Sequence, residues 1–496
     1  MGEISNTVFI VKVNNVYGQV ISEDPDLIDR LYHMFGVPAH NFHFHPKYKA
    51  GMWDGKIRFV KRDGTFTNGL LSDIIGFLKK QSDYVLDIDP LYNSDFPNKE
   101  ELKEDFIKVT SELECPYVPR YYQMRGAVKS VYLKRCINEH CTGSGKSLTI
   151  ALTINYLMNK FPDYKFLVLV PRLDLVEQLT EDMITYGIKK ELLGKFTGKI
   201  KDVNNRIIIS TWQSIYTETV FLQSFNVFIC DEAHGLKADV VRSVGENTIN
   251  AQYRIGFTGT LPEDFKKAER LLITSILGPV SDIVTTDTLI KEKSISDIII
   301  HVPFLNYSKE IVSDIKKNQK MLEPRDAHRY EQKFIFEYEK RNDLIVNITK
   351  KVIKEGENTL ILVSKLDHSA IIIKKLKEAG IEPYIVNGEI KDLEERNKVR
   401  HDIENEGGKV IVATVGVYST GISIKRLHAI IFAAAGKSKI QTLQSVGRGL
   451  RMHESKEKLK LFDVADNLPY SGKHLQLRLE YYAKNNFNVK IKEMDI

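Results

Sequence analysis

Between residues 165 and 260 one phrase recurs four times: a near-continuous apolar run, a turn, then a helical stretch. The runs are "KFLVLVP" (165–171), "NRIIIST" (205–211), "NVFICDE" (226–232) and "YRIGFTGT" (253–260). A strand with one wet face alternates apolar and polar residues. A strand apolar throughout is covered on both faces, as in a parallel sheet flanked by helices. The intervening "LDLVEQLTEDMITYG" spaces its apolar residues by three and four, which predicts an amphipathic helix. The phrase starts again near residue 343, with "NTLILVSK" (358–365), "EPYIVNG" (382–388), "KVIVATV" (409–415), "HAIIFAAA" (428–435) and "LKLFDVAD" (459–466). This rhythm predicts an α/β protein with two doubly wound parallel sheets in tandem.

The remaining sequence divides around those two blocks. Residues 1–112 mix short strands, "TVFIVKV" (7–13) and "GKIRFV" (55–60), with helical stretches such as "DLIDRLYHMF" (26–35), and suit a small α+β domain. The acidic stretch "NSDFPNKEELKEDF" (93–106) suits a hinge or solvated linker helix. The first sheet domain is expected over 113–283, a charged helical connector over 284–342, and the second sheet domain with a C-terminal helix over 343–496. About three domains is what 496 residues would hold. The four cysteines form no C-x-x-C pair and are expected as reduced thiols. The longest apolar run is short of the roughly 18 residues of a membrane span, and the N-terminus lacks a signal-peptide design. These features lead us to expect a soluble cytoplasmic protein. The net charge of +6 agrees with a nucleic-acid partner without establishing one, so local patches must decide.

The clearest local chemistry is "INEHCTGSGKSLTIALTINYL" (137–157), where a strand-like piece runs through a glycine-rich turn into a helix. A phosphate-binding loop works through backbone N–H groups and a helix N-terminus that face the phosphates. Thr142, Gly143, Ser144 and Gly145 would form the cradle, Lys146 would meet the β/γ-phosphates, and Ser147 would bind Mg²⁺. The usual G-x-x-x-x-G-K-[ST] pattern opens with glycine, and here that place holds His140. Downstream, an apolar strand ends in Asp231-Glu232, which puts two carboxylates at a sheet's carboxyl edge, where such folds bind ligands. Asp231 suits Mg²⁺ and Glu232 suits the attacking water, the two tasks that phosphoryl transfer needs. ATP with Mg²⁺ is the expected cofactor.

"TGSGKS" followed by "DEAH" resembles motifs I and II of superfamily 2 helicases and translocases, whose motif I often omits the early glycine. The resemblance implies two RecA-like domains with the nucleotide between them. It extends to "PRYYQ" (119–123), which implies adenine recognition by Gln123 and Arg120. "VPRLDLVEQ" (170–178) and "STWQS" (210–214) are similar to strand-contacting motifs, implying DNA contacts at Pro171, Arg172, Thr211 and Trp212. "FTGTL" (257–261) is similar to motif III, with Thr258 and Thr260, beside His234 of motif II, implied to couple hydrolysis to DNA. In the second domain "LILVSK" is similar to motif IV, with Lys365, and "VATVGVYSTGISI" (412–424) to motif V, with Thr414, Thr420 and Gly421. "QSVGRGLR" (444–451) is close to motif VI, implying Gln444 in the site and Arg448 and Arg451 as arginine fingers. Motif V commonly carries an acid where Ser423 stands, a departure that bears on how DNA contact and ATP are coupled.

The first hundred residues speak to the substrate. "FHFHPKYKAGMWDGKIRFVKR" (42–62) carries six cations, Lys47, Lys49, Lys56, Arg58, Lys61 and Arg62, against the single acid Asp54, with aromatics interleaved. Cations can neutralise phosphates while aromatics stack on bases; Trp53, beside a D-G turn, suits a core position as well as a base platform. The phrase "HPKYKAGMWDGKIR" followed by "TFTNGLLSDIIGFLKK" resembles the N-terminal domain of phage UvsW-type recombination helicases. That resemblance covers most of the chain. It implies a small nucleic-acid-binding domain beside the motor, and action on branched DNA: fork regression, Holliday junction migration and R-loop unwinding in recombination, repair and replication. It also implies partly single-stranded DNA and RNA–DNA hybrids as partners, recombination or single-strand-binding proteins beside them, and a monomer in the host bacterial cytoplasm. The motor motifs leave an RNA helicase, or a duplex translocase serving a partner complex, as alternatives.

Overall fold

A computed structural model of the chain describes residues 7–39, 41–81, 84–96, 98–262, 267–386, 399, 401–415, 424–433, 450 and 453–496. Two compact units result: residues 1–140 with 145–284, and residues 141–144 with 285–496.

The first unit opens with six short strands, β1 (Thr7–Lys12), β2 (Tyr17–Ser22), β3 (Gly36–Pro38), β4 (Lys56–Arg58), β5 (Thr65–Thr67) and β6 (Val85–Ile88). Four of them form a sheet in the order β5-β2-β1-β6, and β3 pairs with β4. The helices Pro25–Met34 and Leu71–Lys79 bury Leu27, Leu31, Ile74 and Leu78 against this sheet. The helix Lys99–Ser111 lies where a hinge or solvated linker was expected. It turns Leu102, Phe106 and Val109 into the core around the parallel sheet of residues 135–284, with Phe106 stacked on Tyr156 at 4.7 Å. Spacing of four and three residues sets those three side chains on one face, which the abundance of acids on the other faces conceals.

The larger sheet of this unit is wholly parallel. Its strands are β7 (Arg135–His140), β8 (Phe166–Val170), β9 (Leu193–Phe196), β10 (Ile207–Thr211), β11 (Val227–Asp231), β12 (Tyr253–Thr258) and β13 (Val280–Val284). They run in the order β13-β7-β12-β11-β8-β10-β9. Every residue of β8, β10 and β12 is buried, as continuous apolar runs require. The N-terminal domain does not keep a core to itself. Ala268 and Leu272, from the helix Lys267–Leu277, belong to its apolar cluster, so residues 1–112 and 113–283 form one body.

The second unit holds β14 (Asp297–Asn306), β15 (Thr359–Val363), β16 (Tyr384–Val386), β17 (Val410–Thr414), β18 (Ala429–Phe432), β19 (Lys458–Asp463), β20 (Ala465–Asp466) and β21 (Asn488–Asp495). The sheet order is β16-β17-β15-β18-β19-β14-β20, with β21 also pairing β14. The stretch 284–342 is therefore more than a helical connector. Its "DIIIHVPFLN" is β14, in parallel register with β19 and β21, and the charged helices Lys309–Lys320 and Pro324–Glu337 follow it. Averaging over that window hides a ten-residue apolar strand behind its charged neighbours. Arg341, which lies in that charged stretch, is fully buried, its Nε 2.9 Å from Asp466. The C-terminal helix Pro469–Lys484 braces the sheet: Arg478 and Tyr482 both reach the Asp463 carboxylate, at 2.8 and 2.9 Å.

Candidate nucleotide site

The strand β7 delivers the chain at His140 to the phosphate-loop sequence, and the helix Lys146–Lys160 takes over from it. Gly143 and Gly145 have φ of 90° and 77°, a left-handed backbone that costs a β-carbon-bearing residue about 1–2 kcal/mol. Gly145 is the helix N-cap, and no side chain caps that end. An uncapped N-terminus leaves N–H donors and a positive partial charge for an anion, so the loop fits a phosphate group. The Lys146 ammonium donates to the His140 carbonyl at 3.2 Å. The helix Tyr121–Leu133 reaches the other end of the loop: Gln123 donates from Nε2 to the Gly145 carbonyl at 3.3 Å and accepts the Arg120 N–H at 2.8 Å. Gln123, one of the two expected adenine-reading residues, is thus in direct contact with the phosphate loop.

Parallel pairing lines up the other strand ends. Asp231 closes β11 in register with Phe257 of β12, and Thr258 of β12 is in register with Glu139 of β7. Burial, then the carboxylate of Glu232 beside it, pushes the Asp231 pKa up to about 6, and the Lys146 charge works against this rise. Such a carboxylate gains by meeting a cation, which suits a magnesium ligand alongside Ser147. Glu232 takes a left-handed backbone, φ 51°, uncommon for a residue with a side chain, and its N–H donates to Asp231 Oδ1 at 3.0 Å. His234 Nδ1 lies 3.3 Å from a Glu232 carboxylate oxygen and 3.1 Å from Thr258 Oγ1. Thr258 donates in turn to the Thr260 carbonyl at 2.9 Å. Glu232, His234, Thr258 and Thr260 therefore form one chain of polar contacts.

Farther along the same edge, Pro171 and Arg172 follow β8, and Thr211 and Trp212 sit at the end of its neighbour β10. Thr211 is buried, its hydroxyl on Ser214 at 2.9 Å, and Arg172 pairs with Asp174 at 3.0 Å. In the second unit Thr414 ends β17 in register with Val363 of β15, and the exposed Lys365 follows β15. Thr420, Gly421, Ser423, Gln444, Arg448 and Arg451 lie outside the described residues. On the N-terminal domain Lys47, Lys49 and Lys56 are exposed, as are Phe44 and Met52. Arg58 instead pairs with Asp54 and lies 4.7 Å over the Tyr32 ring, which occupies its guanidinium within the domain. Trp53 is half-buried and donates its indole N–H to the Lys56 carbonyl at 2.8 Å.

Three residues at this site have no motif to mark them. Asp282, on β13, receives Arg125 Nε at 2.7 Å, Lys129 Nζ at 2.9 Å and His140 Nε2 at 2.9 Å. Burial disfavours its charge, but hydrogen bonds from His140, Arg125 and Lys129 outweigh that and hold the pKa at about 2. Burial pushes the His140 pKa down, against the pull of Asp282. The one sequence signal was Arg125 and Lys129 four apart on a helix; their partner is more than 150 residues away.

Three family profiles match in succession. They are the UvsW DNA helicase N-terminal domain over 11–89, the type III restriction enzyme res subunit over 116–263, and the helicase conserved C-terminal domain over 339–453. The chain is 28% identical to the ATP-dependent DNA helicase uvsW of Enterobacteria phage T4, over 94% of this chain and 95% of that protein. The crystal structure of T4 UvsW superposes with a TM-score of 0.51 at 24% identity, covering 99% of each chain. Dbp5 of S. cerevisiae, bound to RNA and ADP BeF3, superposes with a TM-score of 0.54 at 15% identity, over 81% of this chain and 96% of that one. Among the described residues no helix is long and apolar enough to cross a membrane.

Proposed function

We propose that this chain, a UvsW-like ATP-dependent DNA helicase of superfamily 2, works on branched DNA: regressing forks, migrating Holliday junctions and unwinding R-loops. The observation that carries the reading is the N-terminal domain. The UvsW N-terminal profile fits residues 11–89, and within them exposed Lys47, Lys49 and Lys56 sit close in sequence to exposed Phe44 and Met52. Cations beside exposed apolar side chains suit a nucleic-acid strand whose bases are accessible, as at a branch point.

Bound ATP with Mg²⁺ supplies the phosphoryl group whose hydrolysis drives the motor. Lys146 would lie against the phosphates, Ser147 and Asp231 would hold the magnesium, and Gln123 and Arg120 would face the base. Glu232 orients the attacking water and accepts its proton. His234, Thr258 and Thr260 carry the state of the site toward the strand contacts, for which Pro171, Arg172, Thr211, Trp212, Lys365 and Thr414 are the candidates. The role of Arg58 in DNA contact is the weakest of the set, because Asp54 and Tyr32 already engage it. We place the protein as a monomer in the cytoplasm of a bacterial host, working beside recombination or single-strand-binding proteins.

A second reading, an RNA helicase, is favoured by the fold shared with an RNA-bound protein. The ATPase rate without nucleic acid, with single-stranded DNA, linear duplex, a four-way junction and matching RNA, at equal nucleotide concentration and fixed salt, separates the two. Strongest stimulation by the junction, together with its ATP-dependent dissociation, supports the first reading. Stimulation by RNA alone overturns it in favour of the second.

A further inference from the structure

In the common phosphate-loop pattern the position of His140 is glycine, yet the backbone here does not require one. His140 is the last residue of β7 and is absent from the residues with positive φ. Its side chain is thus free for another task. The ring is fully buried, edge-on to Tyr122 and Phe257, and its Nε2 is 2.9 Å from Asp282 Oδ2. The helix Tyr121–Leu133 makes room for it: a β-carbon on Gly126 would sit 2.9 Å from His140 Cε1.

That helix also carries Arg125 and Lys129, which hold the other side of Asp282, and Gln123, which donates to the Gly145 carbonyl. The contacts therefore run in a closed circuit. From His140, where the loop begins, they pass through Asp282 to the helix, and along the helix to Gly145, where the loop ends. His140 and Gly145, the residues on either side of the loop, are thus both tied to one helix. We infer that His140, held by Asp282, is a positioning residue that fixes the start of the phosphate loop and so pre-forms the nucleotide site. A loop ordered in advance saves the conformational freedom that binding would otherwise remove, so the effect falls on affinity. Asp231 and Glu232 lie outside the circuit, so the chemical step is left unchanged. The inference rests on the ATP reading given above.

The test uses the full-length chain, the fluorescent analogue mant-ATP with Mg²⁺ as probe, and steady-state ATPase on the preferred DNA. His140→Phe keeps the ring volume and deletes the N–H to Asp282. It should weaken mant-ATP binding and raise the ATP KM by about tenfold, with kcat within about twofold, the loss expected for one buried charge-assisted hydrogen bond. His140→Gln, whose amide can still donate to Asp282, should recover most of the affinity. Should His140→Phe fail to fold, Arg125→Gln loosens the same circuit from its half-exposed edge, with Lys129 still on Asp282, and should give a smaller loss that is again KM-weighted. Lys146→Ala separates the two levels of argument. If it weakens mant-ATP binding while His140→Phe and Arg125→Gln bind like the parent, the positioning role is overturned and the ATP reading stands. If Lys146→Ala itself binds mant-ATP like the parent, the ATP reading falls and the positioning role falls with it.

Discussion

Replacing Thr258 by valine removes one hydroxyl at nearly constant volume, and that hydroxyl is the hub between the candidate base and the residues after β12. Thr258 is fully buried. Its O–H donates to the Thr260 carbonyl at 2.9 Å, and its oxygen also takes the Thr260 N–H at 3.3 Å. With that proton used, the contact at 3.1 Å from His234 Nδ1 must be donated by histidine, so His234 carries its proton on Nδ1. The same N–H lies 3.3 Å from the Glu232 carboxylate. Valine leaves three polar groups without their partner. At about 1 kcal/mol net per buried hydrogen bond, partly recovered by relaxation, the loss is about 2 kcal/mol, or roughly 30-fold in an equilibrium that these contacts bias. If this chain transmits DNA contact to the hydrolytic site, Thr258→Val should lower DNA stimulation of the ATPase by about that factor and leave the basal rate within a few-fold of the parent. Thr258→Ser, which keeps the hydroxyl, should retain most of the stimulation. The assay is steady-state ATPase with and without saturating junction DNA, alongside strand displacement. An equal fall in basal and stimulated rates would place Thr258 in the chemistry, and unchanged stimulation would refute the coupling role.

Gly69 lies in a buried turn of the N-terminal domain, where an added β-carbon would come 2.0 Å from the Thr274 carbonyl oxygen and 2.4 Å from that of Ser275. Backbone cannot swing aside as a side chain would, so Gly69→Ala should cost about 1–3 kcal/mol, read as a lower melting temperature and easier proteolysis; parent-like values would show that the two surfaces separate freely. The Asp282 pKa, about 2 against an ordinary 3.8, gives stability that is fully present above about pH 4 and lost as the pH falls through 2. That contribution is about 2 kcal/mol, so the stability gap between the parent and Asp282→Asn should shrink as urea midpoints are measured from pH 7 down to pH 2.5, and a constant gap would contradict the assignment.

Each apolar run in the two sheet domains became a strand, because burial on both faces leaves a strand no other composition. The apposition of Asp231, Thr258 and the phosphate loop also followed from sequence, since parallel strands put consecutive carboxyl ends on one edge. What failed to show was decided by partners distant in the chain. The strand β14 is apolar, but its flanks are charged helices, and only β19 and β21 identify it as part of the sheet. Arg341 sits among helix charges, with no local sign that it is buried; its partner Asp466 comes 125 residues later. His140 was legible as a departure from a pattern, while its meaning depended on Asp282, 142 residues on. Arg58 belonged to a basic stretch by composition, yet the neighbouring Asp54 takes its charge.

Glu232→Gln tests most directly the claim that this site hydrolyses ATP to drive the motor. Glutamine keeps the shape of the side chain but cannot accept the proton of the attacking water. In the full-length protein, mant-ATP binding should match the parent, while multiple-turnover hydrolysis falls by about 10²–10⁴-fold and junction unwinding disappears with it. Undiminished hydrolysis would remove Glu232 from its role and with it the mechanism proposed for Asp231 and Lys146 beside it. Lost hydrolysis with unwinding intact would contradict the claim that ATP is the fuel.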